Sequence, residues 1–340
     1  MKKIAAGLLS LLLAFPVLAD RQVTDDAGHP VILPDRVTQV AEGWFAHHSL
    51  LMTLGVGDRI VATVNRPDSR PWMFHIAPRL NQVLISRGPH FTSEALLTRD
   101  AQVVFVAQGN GDADAYRQAG LAVMEMHFTD YPSLAHAVET TAAVFDTPQV
   151  RARAQAYNRY LQQVIAVTTQ RNRDLTDGER PRVLHIQSLK PLKVDGSHTL
   201  IDTWIHLAGG RNAAAEISGN MQEISPEKVL AWQPDIIILG AGCGDLQHSA
   251  YGKLFAPLRA VKNGKVWQNP AGVFPWDRYG TESALQIQWA AKRLQPQRFN
   301  DLDMIAITRD FYQRFFDYSL TGSEAERILQ ALPPQVKVGR

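Results

Sequence analysis

Short hydrophobic runs alternate with helical stretches along both halves of the chain. The runs cover residues 37–40, 60–63, 83–85, 103–106 and 122–124 in the first half and 183–186, 236–239 and 265–267 in the second. Stretches with helical periodicity, such as 46–54 and 93–99, lie between them. Strands that alternate with helices are typical of parallel sheets in an α/β fold. The pattern therefore predicts two α/β lobes with parallel-type sheets.

A single long helix is predicted between the two halves. Thr147 is a good N-cap residue, and Pro148 suits the first helical position. Small and apolar residues then recur at steps of three and four, which marks one face of a helix. About 24 residues at 1.5 Å each would span ~36 Å, enough to cross a lobe. The predicted domains are an N-terminal lobe at 20–146, a connecting helix at 147–172, and a C-terminal lobe with C-terminal helices at 173–340.

A repeat at an offset of 133 residues relates the two halves. Segments 93–112 and 226–245 each read as a helix, a hydrophobic strand and a glycine-rich turn, and Glu94 matches Glu227. Two lobes built on one plan would face each other across a cleft. In open α/β sheets, ligands bind beyond the carboxyl ends of the strands. The repeat thus predicts a ligand cleft between the lobes.

The first 19 residues have the three parts of a secretory signal. Lys2 and Lys3 are followed by an apolar run, and the segment ends in Val17-Leu18-Ala19, which predicts cleavage before Asp20. The apolar run is shorter than the ~20 residues that a membrane span needs. We therefore expect residues 1–19 to be a signal peptide and the mature protein to be periplasmic.

Composition excludes several classes of protein. The 340 residues are 45% hydrophobic and 20% charged, as in globular proteins. Without Lys2 and Lys3, 33 basic residues face 33 acidic ones, so the mature chain lacks the basic footprint that nucleic-acid binding requires. The single cysteine, Cys243, excludes disulfides and cysteine-based metal clusters.

No metal site or cofactor is expected from the motifs. The histidines are scattered, and neighbouring His47 and His48 would point in different directions on a helix. The sequence has no zinc-type His-Glu-x-x-His, nucleophile elbow, Walker loop or Rossmann fingerprint. An enzyme, with Cys243 as a lone nucleophile, is the alternative from another functional class.

Four elements in a fixed order carry a resemblance to a known family. They lie at 54–62, 94–106, 207–213 and 224–237. Together they resemble the periplasmic solute-binding proteins of ABC importers for iron–siderophore complexes, haem and cobalamin. One departure is Asp100-Ala101-Gln102, where the family usually has Lys-Pro-Asp.

The resemblance implies both a fold and a function. It implies two lobes joined by a backbone helix, in a monomer that captures an iron–siderophore-type metal chelate and delivers it to a permease dimer in the inner membrane. Alternative cargoes are a molybdate or tungstate oxyanion, and cobalamin or haem. It also implies that Glu94 and Glu227 pair with arginines of the permease, although each acid could simply favour the positive end of its own helix.

The candidate ligand residues lie where strands end and loops begin. In segment 274–280, Trp276 and Tyr279 offer flat faces, and Arg278 offers a planar fork for anionic groups. The alternative is a structural turn that packs its aromatic residues inward and pairs Asp277 and Arg278 with nearby charges. The other predicted ligand residues are Trp44, Arg66, Trp72, Arg87 and Gln108 in the first lobe and Met221 in the second.

Overall fold

A computed structural model describes residues 21–88 and 90–335. The predicted signal peptide and its cleavage site before Asp20 lie outside these residues. Within the described ranges, none of the helices combines the length and the apolar character that a membrane crossing demands.

The N-terminal lobe is built on a five-stranded parallel sheet in the order β5-β4-β3-β6-β7. The lobe begins with a separate hairpin of β1 Arg21–Thr24 and β2 Pro30–Leu33. The strands of the sheet are β3 Val40–Glu42, β4 Ile60–Thr63, β5 Leu84–Ile85, β6 Val103–Ala107 and β7 Ala122–Met126. Its helices are α1 His48–Thr53, α2 Pro71–Ile76, α3 Ser93–Leu97, α4 Ala113–Gln118 and α5 Tyr131–Phe145, with 3₁₀ turns at Gly57–Arg59 and Pro78–Gln82.

One predicted strand is displaced. The hydrophobic run at 37–40 predicts a strand there, but β3 begins only at its last residue. The backbone N–H groups of Thr38 and Gln39 donate to the side chain of Gln102, at 2.7 and 3.1 Å. Because a side chain takes these donors, the backbone joins the sheet only from Val40 onward.

The predicted helix between the lobes is confirmed as α6, Pro148–Asn172. The Thr147 side chain accepts a hydrogen bond from the Val150 backbone N–H at 3.3 Å, and Pro148 occupies the first turn. The predicted apolar stripe is buried throughout, at Val150, Ala154, Tyr157, Leu161, Val164 and Thr168. The helix packs against both α5 and α11.

The C-terminal lobe holds a mixed sheet in the order β11-β9-β8-β12-β13, with the short β10 paired to β8. Its strands are β8 Arg182–Leu189, β9 Leu192–Val194, β10 Arg211–Asn212, β11 Gln222–Glu223, β12 Ile236–Leu239 and β13 Val266–Gln268. The predicted parallel pairing holds for β8, β12 and β13. Strand β9 pairs antiparallel with β8, and β11 pairs antiparallel with β9.

Seven helices complete the described part of the C-terminal lobe. They are α7 Leu200–Leu207, α8 Pro226–Trp232, α9 Gly252–Phe255, α10 Arg259–Lys262, α11 Ser283–Leu294, α12 Met304–Phe315 and α13 Gly322–Leu329, with a 3₁₀ turn at Asp177–Glu179. The exact lobe boundaries stay a prediction.

The repeat is visible in the backbone. Helix α3 with strand β6, and helix α8 with strand β12, begin at the same offset of 133 residues. In the turns that follow, Gly109 and Gly242 both adopt left-handed backbone, with φ of 75° and 78°. Glycine adopts this conformation without steric cost, so the matched turn geometry explains both residues.

Side chains of α6 tie the two lobes together. Arg153 donates from Nε to the carbonyl of Thr53 in the first lobe at 2.8 Å, and from its guanidinium to the carbonyl of Phe315 in the second at 2.9 Å. The Tyr157 hydroxyl donates to the carbonyl of Thr281 at 2.8 Å. Thr53 also bonds the Thr281 hydroxyl directly, at 2.8 Å. The connecting helix therefore reinforces a direct contact between the two lobes.

Candidate ligand-binding cleft

The cleft lies where the strand ends of both lobes approach a crossing loop at 272–281. The Thr281 backbone N–H donates to Ser49 of α1 at 3.2 Å. A Cβ on Gly280 would lie 3.1 Å from the hydroxyl of Ser49 and 3.1 Å from the ring of Phe274. Any larger residue at position 280 would require these neighbours to shift by a few tenths of an ångström.

A buried charge network supports the C-terminal wall. His185 contacts Asp195 through Nδ1 at 2.8 Å and Asp277 through Nε2 at 2.7 Å, and all three side chains are fully buried. Burial acts to lower the pKa of His185, but the hydrogen bonds and charges of both carboxylates outweigh it and raise that pKa. Burial likewise opposes ionisation of Asp195, yet His185 and Arg278 hold its pKa at about 2. Two carboxylates, an imidazole and a guanidinium thus form one hydrogen-bonded network.

Arg278 belongs to this network, which corrects the expectation of a free fork. Its guanidinium donates to Asp195 at 2.9 and 3.2 Å and, through Nε, to Gln187 at 2.9 Å. Only 9% of the residue is exposed. Because a carboxylate and an amide already fill the fork, the structure shows the paired arrangement that the sequence left open as the alternative for Arg278.

The two tryptophans predicted as ligand residues, Trp72 and Trp276, are buried, and their ligand roles stay predictions. Trp276 is fully buried and donates from Nε1 to Glu282 at 3.0 Å. Trp72 is 2% exposed and donates from Nε1 to the carbonyl of Leu332 at 2.9 Å. Each indole N–H finds an internal acceptor, and Trp72 also lines the cavity between the lobes described below.

Trp44, Tyr279 and Met221 keep part of their surface exposed, and their predicted ligand roles stay predictions. Trp44 is half-buried and packs on Phe128, with ring centroids 4.7 Å apart. Phe128 in turn meets Tyr279 of the opposite lobe edge-on, at 6.2 Å. Met221 is 48% exposed, in left-handed backbone, and its N–H donates to Asp195 at 2.8 Å. Aromatic groups from both lobes therefore meet across the cleft.

The remaining predicted ligand residues are exposed at strand ends of the N-terminal lobe. Arg66 pairs with neighbouring Asp68 at 3.0 Å. Arg87 follows β5 and Gln108 follows β6, and both are exposed. Their roles stay predictions, since a side chain on the surface is equally suited to solvent.

Sequence reasoning missed Arg70, which reaches across the cleft. Its guanidinium lies over the ring of Phe274, 4.7 Å from the centroid. Its Nε is buried, with no hydrogen-bond partner among the described residues. Burial lowers the pKa of Arg70, while the charge of Asp277 opposes the shift. No motif marks Arg70, because its burial depends on a loop 200 residues further along the chain.

A cavity of about 550 Å³ opens beside Arg70 between the lobes. The N-terminal lobe lines it with residues 68–72, and the C-terminal lobe lines it with the turn at 241–244, the crossing loop and residues 330–333. This volume lies in the range of small-molecule sites, which is about 300–1,000 Å³.

The adjacent histidines have different environments. His47 contacts Glu42 through Nδ1 at 2.7 Å and Thr141 through Nε2 at 2.9 Å. His48 contacts Thr63 through Nδ1 at 3.0 Å, but its Nε2 is buried and has no partner in the described part of the chain. Burial, assisted by the charge of His47, lowers the pKa of His48 to about 3. His48 is therefore neutral at physiological pH.

One group of side chains has the spacing of a metal site but already has protein partners. Asp25, His29 and Glu125 place their ligand atoms within 4.8 Å of one another. The Asp25 carboxylate accepts three backbone N–H groups, and that of Glu125 is bound by Arg117 at 2.6 Å. These bonds account for the cluster as a brace for the β1–β2 hairpin.

Comparison with known proteins identifies the family. The sequence profile described as "Periplasmic binding protein" matches residues 82–271, more than half of the chain. The chain belongs to the periplasmic binding protein family. The family resemblance seen in the sequence and the two-lobed α/β fold are thereby confirmed.

Several relatives of this periplasmic binding protein cover three quarters of its length or more. Molybdate-binding protein MolA of Haemophilus influenzae is 23% identical and covers 96% of this chain and 99% of its own. Its structure with molybdate, described as cognate to an ABC transporter, superposes with a TM-score of 0.79 at 22% identity, over 89% and 99% of the two chains. A periplasmic solute-binding protein from Veillonella parvula gives a TM-score of 0.79 at 25% identity, over 92% and 97%. The vitamin B12-binding protein BtuF of Vibrio cholerae gives 0.62 at 18% identity, over 76% and 98%.

The two acids of the repeat lie at equivalent positions of this periplasmic binding protein. Glu94 is exposed in the first turn of α3, and Glu227 is exposed in the first turn of α8. Hydrogen bonds from the Glu227 backbone N–H and the Ser225 hydroxyl lower the pKa of the Glu227 carboxyl, so Glu227 is ionised at neutral pH. Each lobe thus presents one exposed acid at a matching helix start.

Proposed function

We propose that this protein is the periplasmic solute-binding component of an ABC importer, and that its cargo is a small oxyanion such as molybdate or tungstate. It would deliver that cargo to a permease dimer in the inner membrane, with Glu94 and Glu227 as docking charges. A role in binding rather than catalysis is supported by relatives that are solute-binding proteins.

The observation that carries the choice of an oxyanion is the unpartnered Nε of Arg70, seen among the described residues beside the interlobe cavity. A buried N–H without an acceptor costs free energy, which a bound oxygen atom would recover. A guanidinium is well suited to oxyanions because its donors lie in one plane. Because Arg278 is already paired with Asp195, Arg70 is a guanidinium of the cavity wall that retains a donor for the cargo.

A metal chelate of the iron–siderophore type is the second candidate, and the cavity of about 550 Å³ favours it. This volume exceeds what a tetrahedral oxyanion fills. The full burial of Trp276, away from the lining of this cavity, weighs against it, because an aromatic ring from segment 274–280 was expected to face the chelate. Binding measurements therefore have to compare both classes.

Calorimetric titration of the purified protein with sodium molybdate, sodium tungstate, sodium sulfate and a ferric siderophore separates the candidates. We expect molybdate and tungstate to bind and the ferric siderophore not to. Arg70→Ala should weaken molybdate binding about ten- to a hundredfold, the effect of losing a charge-assisted hydrogen bond of about 1.5–3 kcal/mol. Arg259→Ala, which removes an exposed cation of α10, is the control and should bind normally. Tight binding of the ferric siderophore alone would replace the oxyanion with the chelate.

Two further measurements test location and class. Intact mass of the secreted protein should correspond to a chain that begins at Asp20, recovered in the periplasmic fraction. The bound cargo should be recovered chemically unchanged after incubation, since a binding protein turns nothing over. A precursor that keeps residues 1–19, or a consumed cargo, would contradict the proposal.

A further inference from the structure

A second cavity lies in the C-terminal lobe, outside the cleft, and is called the outer pocket here. Its volume is about 580 Å³, within the range of about 300–1,000 Å³ that small-molecule sites occupy. Strand β13 and helices α11, α12 and α13 contribute to its wall, and the wall residues used below are Trp267, Trp289, Lys292, Arg293, Met304 and Leu329. It shares no lining residue with the cleft cavity.

The chain itself separates the outer pocket from the cleft. Successive side chains of a strand point to opposite faces, and in β13 Trp267 lines the outer pocket whereas Gln268 lines the cleft cavity. Leu329, the last residue of α13, lines the outer pocket, and residues 330–333 after it line the cleft cavity. A ligand of the outer pocket would therefore occupy a site of its own, apart from the cargo.

Two tryptophan rings and one guanidinium form the centre of the outer pocket. The Cζ atom of Arg293 lies 5.4 Å from the ring centroid of Trp267 and 5.9 Å from that of Trp289. A guanidinium at this distance is attracted to the ring faces. Because its N–H donors all lie in the plane of the group, stacking leaves the outer edge of Arg293 able to bind a carboxylate.

The guanidinium of Arg293 has no anion of its own within the described part of the chain, and the residue is exposed. Arg298, in the loop after α11, by contrast pairs with Asp174 at 2.6 Å. The Nζ of Lys292 donates to the carbonyl of Leu302. The wall of the outer pocket thus contains two cations and no acid, which favours an anionic ligand.

The rings beneath Arg293 favour a flat, apolar partner. Trp267 is half-buried, and Met304 adds an apolar side chain to the wall. An aromatic ring in the pocket would stack on the indole of Trp267, while an acidic group on that ring would reach the guanidinium.

The helix dipole explains the cations of the outer pocket only in part. Lys292 and Arg293 lie in the last turn of α11, where the negative end of the helix favours basic residues. That effect accounts for each charge separately. It does not account for a cavity that combines both charges with the rings of Trp267 and Trp289.

We propose that the outer pocket binds a planar aromatic anion of the aromatic carboxylate class. Its ring stacks on Trp267, its carboxylate pairs with Arg293, and Lys292 supplies the second positive charge. The proposal goes beyond the proposed function and does not rest on it, because the cargo and the aromatic anion occupy separate cavities.

Proton–nitrogen NMR of the protein purified from the periplasm, titrated with sodium naphthoate, tests the proposal. The indole N–H signals are assigned by their loss in Trp267→Phe and Trp289→Phe. We expect the Trp267 signal to shift with naphthoate until it saturates. Naphthamide, which has the same ring without the charge, should bind about threefold more weakly or worse. Sodium acetate, which has the charge without the ring, should leave the signal unchanged.

Calorimetric titration of variants with sodium naphthoate supplies the second readout. Arg293→Gln should weaken naphthoate binding about threefold or more, the effect of losing an exposed charge pair. Trp267→Leu should weaken it as well, because stacking area is lost. Arg259→Gln, which changes an exposed arginine of α10, is the matched control and should bind naphthoate normally.

The outcomes separate this proposal from the proposed function. A wild type that binds naphthoate but neither molybdate nor tungstate overturns only the proposed function. If the Trp267 signal does not respond to naphthoate, or if Arg293→Gln binds naphthoate as tightly as the wild type, the outer pocket is no anion site and Arg293 only shields the rings from water. Equal binding of naphthamide and naphthoate overturns the proposal too. Should Trp267→Leu not fold, Arg293→Gln and the wild-type NMR titration still decide.

Discussion

Glu282 shows how a single buried residue organises the crossing loop. Its carboxylate accepts from the backbone N–H groups of Val273 and Phe274, from Trp276 Nε1 and from the Tyr312 hydroxyl. Four donors that converge on one carboxylate hold the loop against α12. The same burial raises the pKa of Glu282 to about 7, although these hydrogen bonds oppose the shift.

The raised pKa predicts how stability changes with pH. The folded protein holds the Glu282 proton more tightly than the unfolded chain, so this group contributes full stability below about pH 4.5 and loses it as pH rises to about 7. The loss is on the order of 3 kcal/mol, from about 1.4 kcal/mol per pKa unit. Urea unfolding of wild type and Glu282→Gln between pH 5 and 8 measures it.

We expect the wild type to lose stability relative to Glu282→Gln across that range. Glu326→Gln, which changes an exposed acid of α13, should run parallel to the wild type. A constant difference between wild type and Glu282→Gln would mean that Glu282 is ionised throughout.

Arg278→Ala should cost stability more than binding. Its removal takes the guanidinium partner from the buried Asp195 carboxylate, and breaking a buried ion pair from one side costs about 3–5 kcal/mol. Arg259→Ala removes an exposed partner of Asp235 and should cost at most about 1 kcal/mol. Thermal unfolding of both variants, with molybdate titration of each, is the measurement. A normal melting temperature together with lost molybdate binding would show that Arg278 contacts the ligand directly.

The sequence predicts the place of the candidate site better than its individual residues. Segment 274–280 does lie at the cleft, because a strand end followed by a glycine-rich loop is a local signal. The pairing of Arg278 with Asp195 joins residues 83 positions apart, and Trp72 is buried by a contact with Leu332. Long-range partners of this kind leave no trace in the local pattern, so Arg70 could not be told from Arg66.

At the level of elements, the matched pair of helix starts predicts a docking defect without a binding defect. Glu94→Ala combined with Glu227→Ala should leave molybdate affinity nearly unchanged, because both acids are exposed at helix starts, away from the strand ends. Cellular molybdate uptake should fall, since exposed charges act mainly on encounter rate and on its dependence on salt.

Each single variant should be milder than the double variant, and the defect should resemble the effect of raised salt. Asp114→Ala is the matched control, an exposed acid in the first turn of α4 that lies outside the repeat. If the double variant binds molybdate poorly, the acids belong to the cleft. If the double variant both binds and transports molybdate normally, the two acids serve only their own helices.

Elements with strong local signals were predictable, and weak ones were not. Strands β4 and β12 match their hydrophobic runs residue for residue, since β-branched residues buried in a parallel sheet form continuous apolar runs. Helix α6 is predictable from its N-cap residue, Thr147, and from its stripe of apolar residues. Strands β10 and β11 are two residues each, Arg211–Asn212 and Gln222–Glu223, and their polar side chains carry no strand signal. Only pairing with β8 and β9 defines them.

For the whole molecule, we predict that the lobes close little on cargo. Helix α6 has no glycine, and no proline after Pro148, so it lacks residues that absorb a hinge rotation. Arg153 already bonds both lobes. Small-angle X-ray scattering curves with and without molybdate should nearly superimpose for the wild type.

Arg153→Ala should loosen this arrangement and enlarge the change in radius of gyration on binding. Arg151→Ala, two residues away on the same helix and paired only with Asp146 in the structure described, should behave like the wild type. A large change in the radius of gyration of the wild type would show that the Arg153 contacts do not hold the lobes in place.

Because Arg153 and Tyr157 hold the lobes in contact before cargo arrives, binding removes little protein surface from water beyond what the cargo itself covers. Dehydration of apolar surface is what gives association a negative heat-capacity change. The enthalpy of molybdate binding should therefore vary little between about 10 and 35 °C in calorimetry. A steep temperature dependence would report apolar surface buried elsewhere in the molecule, and would reveal a rearrangement too subtle for scattering to detect.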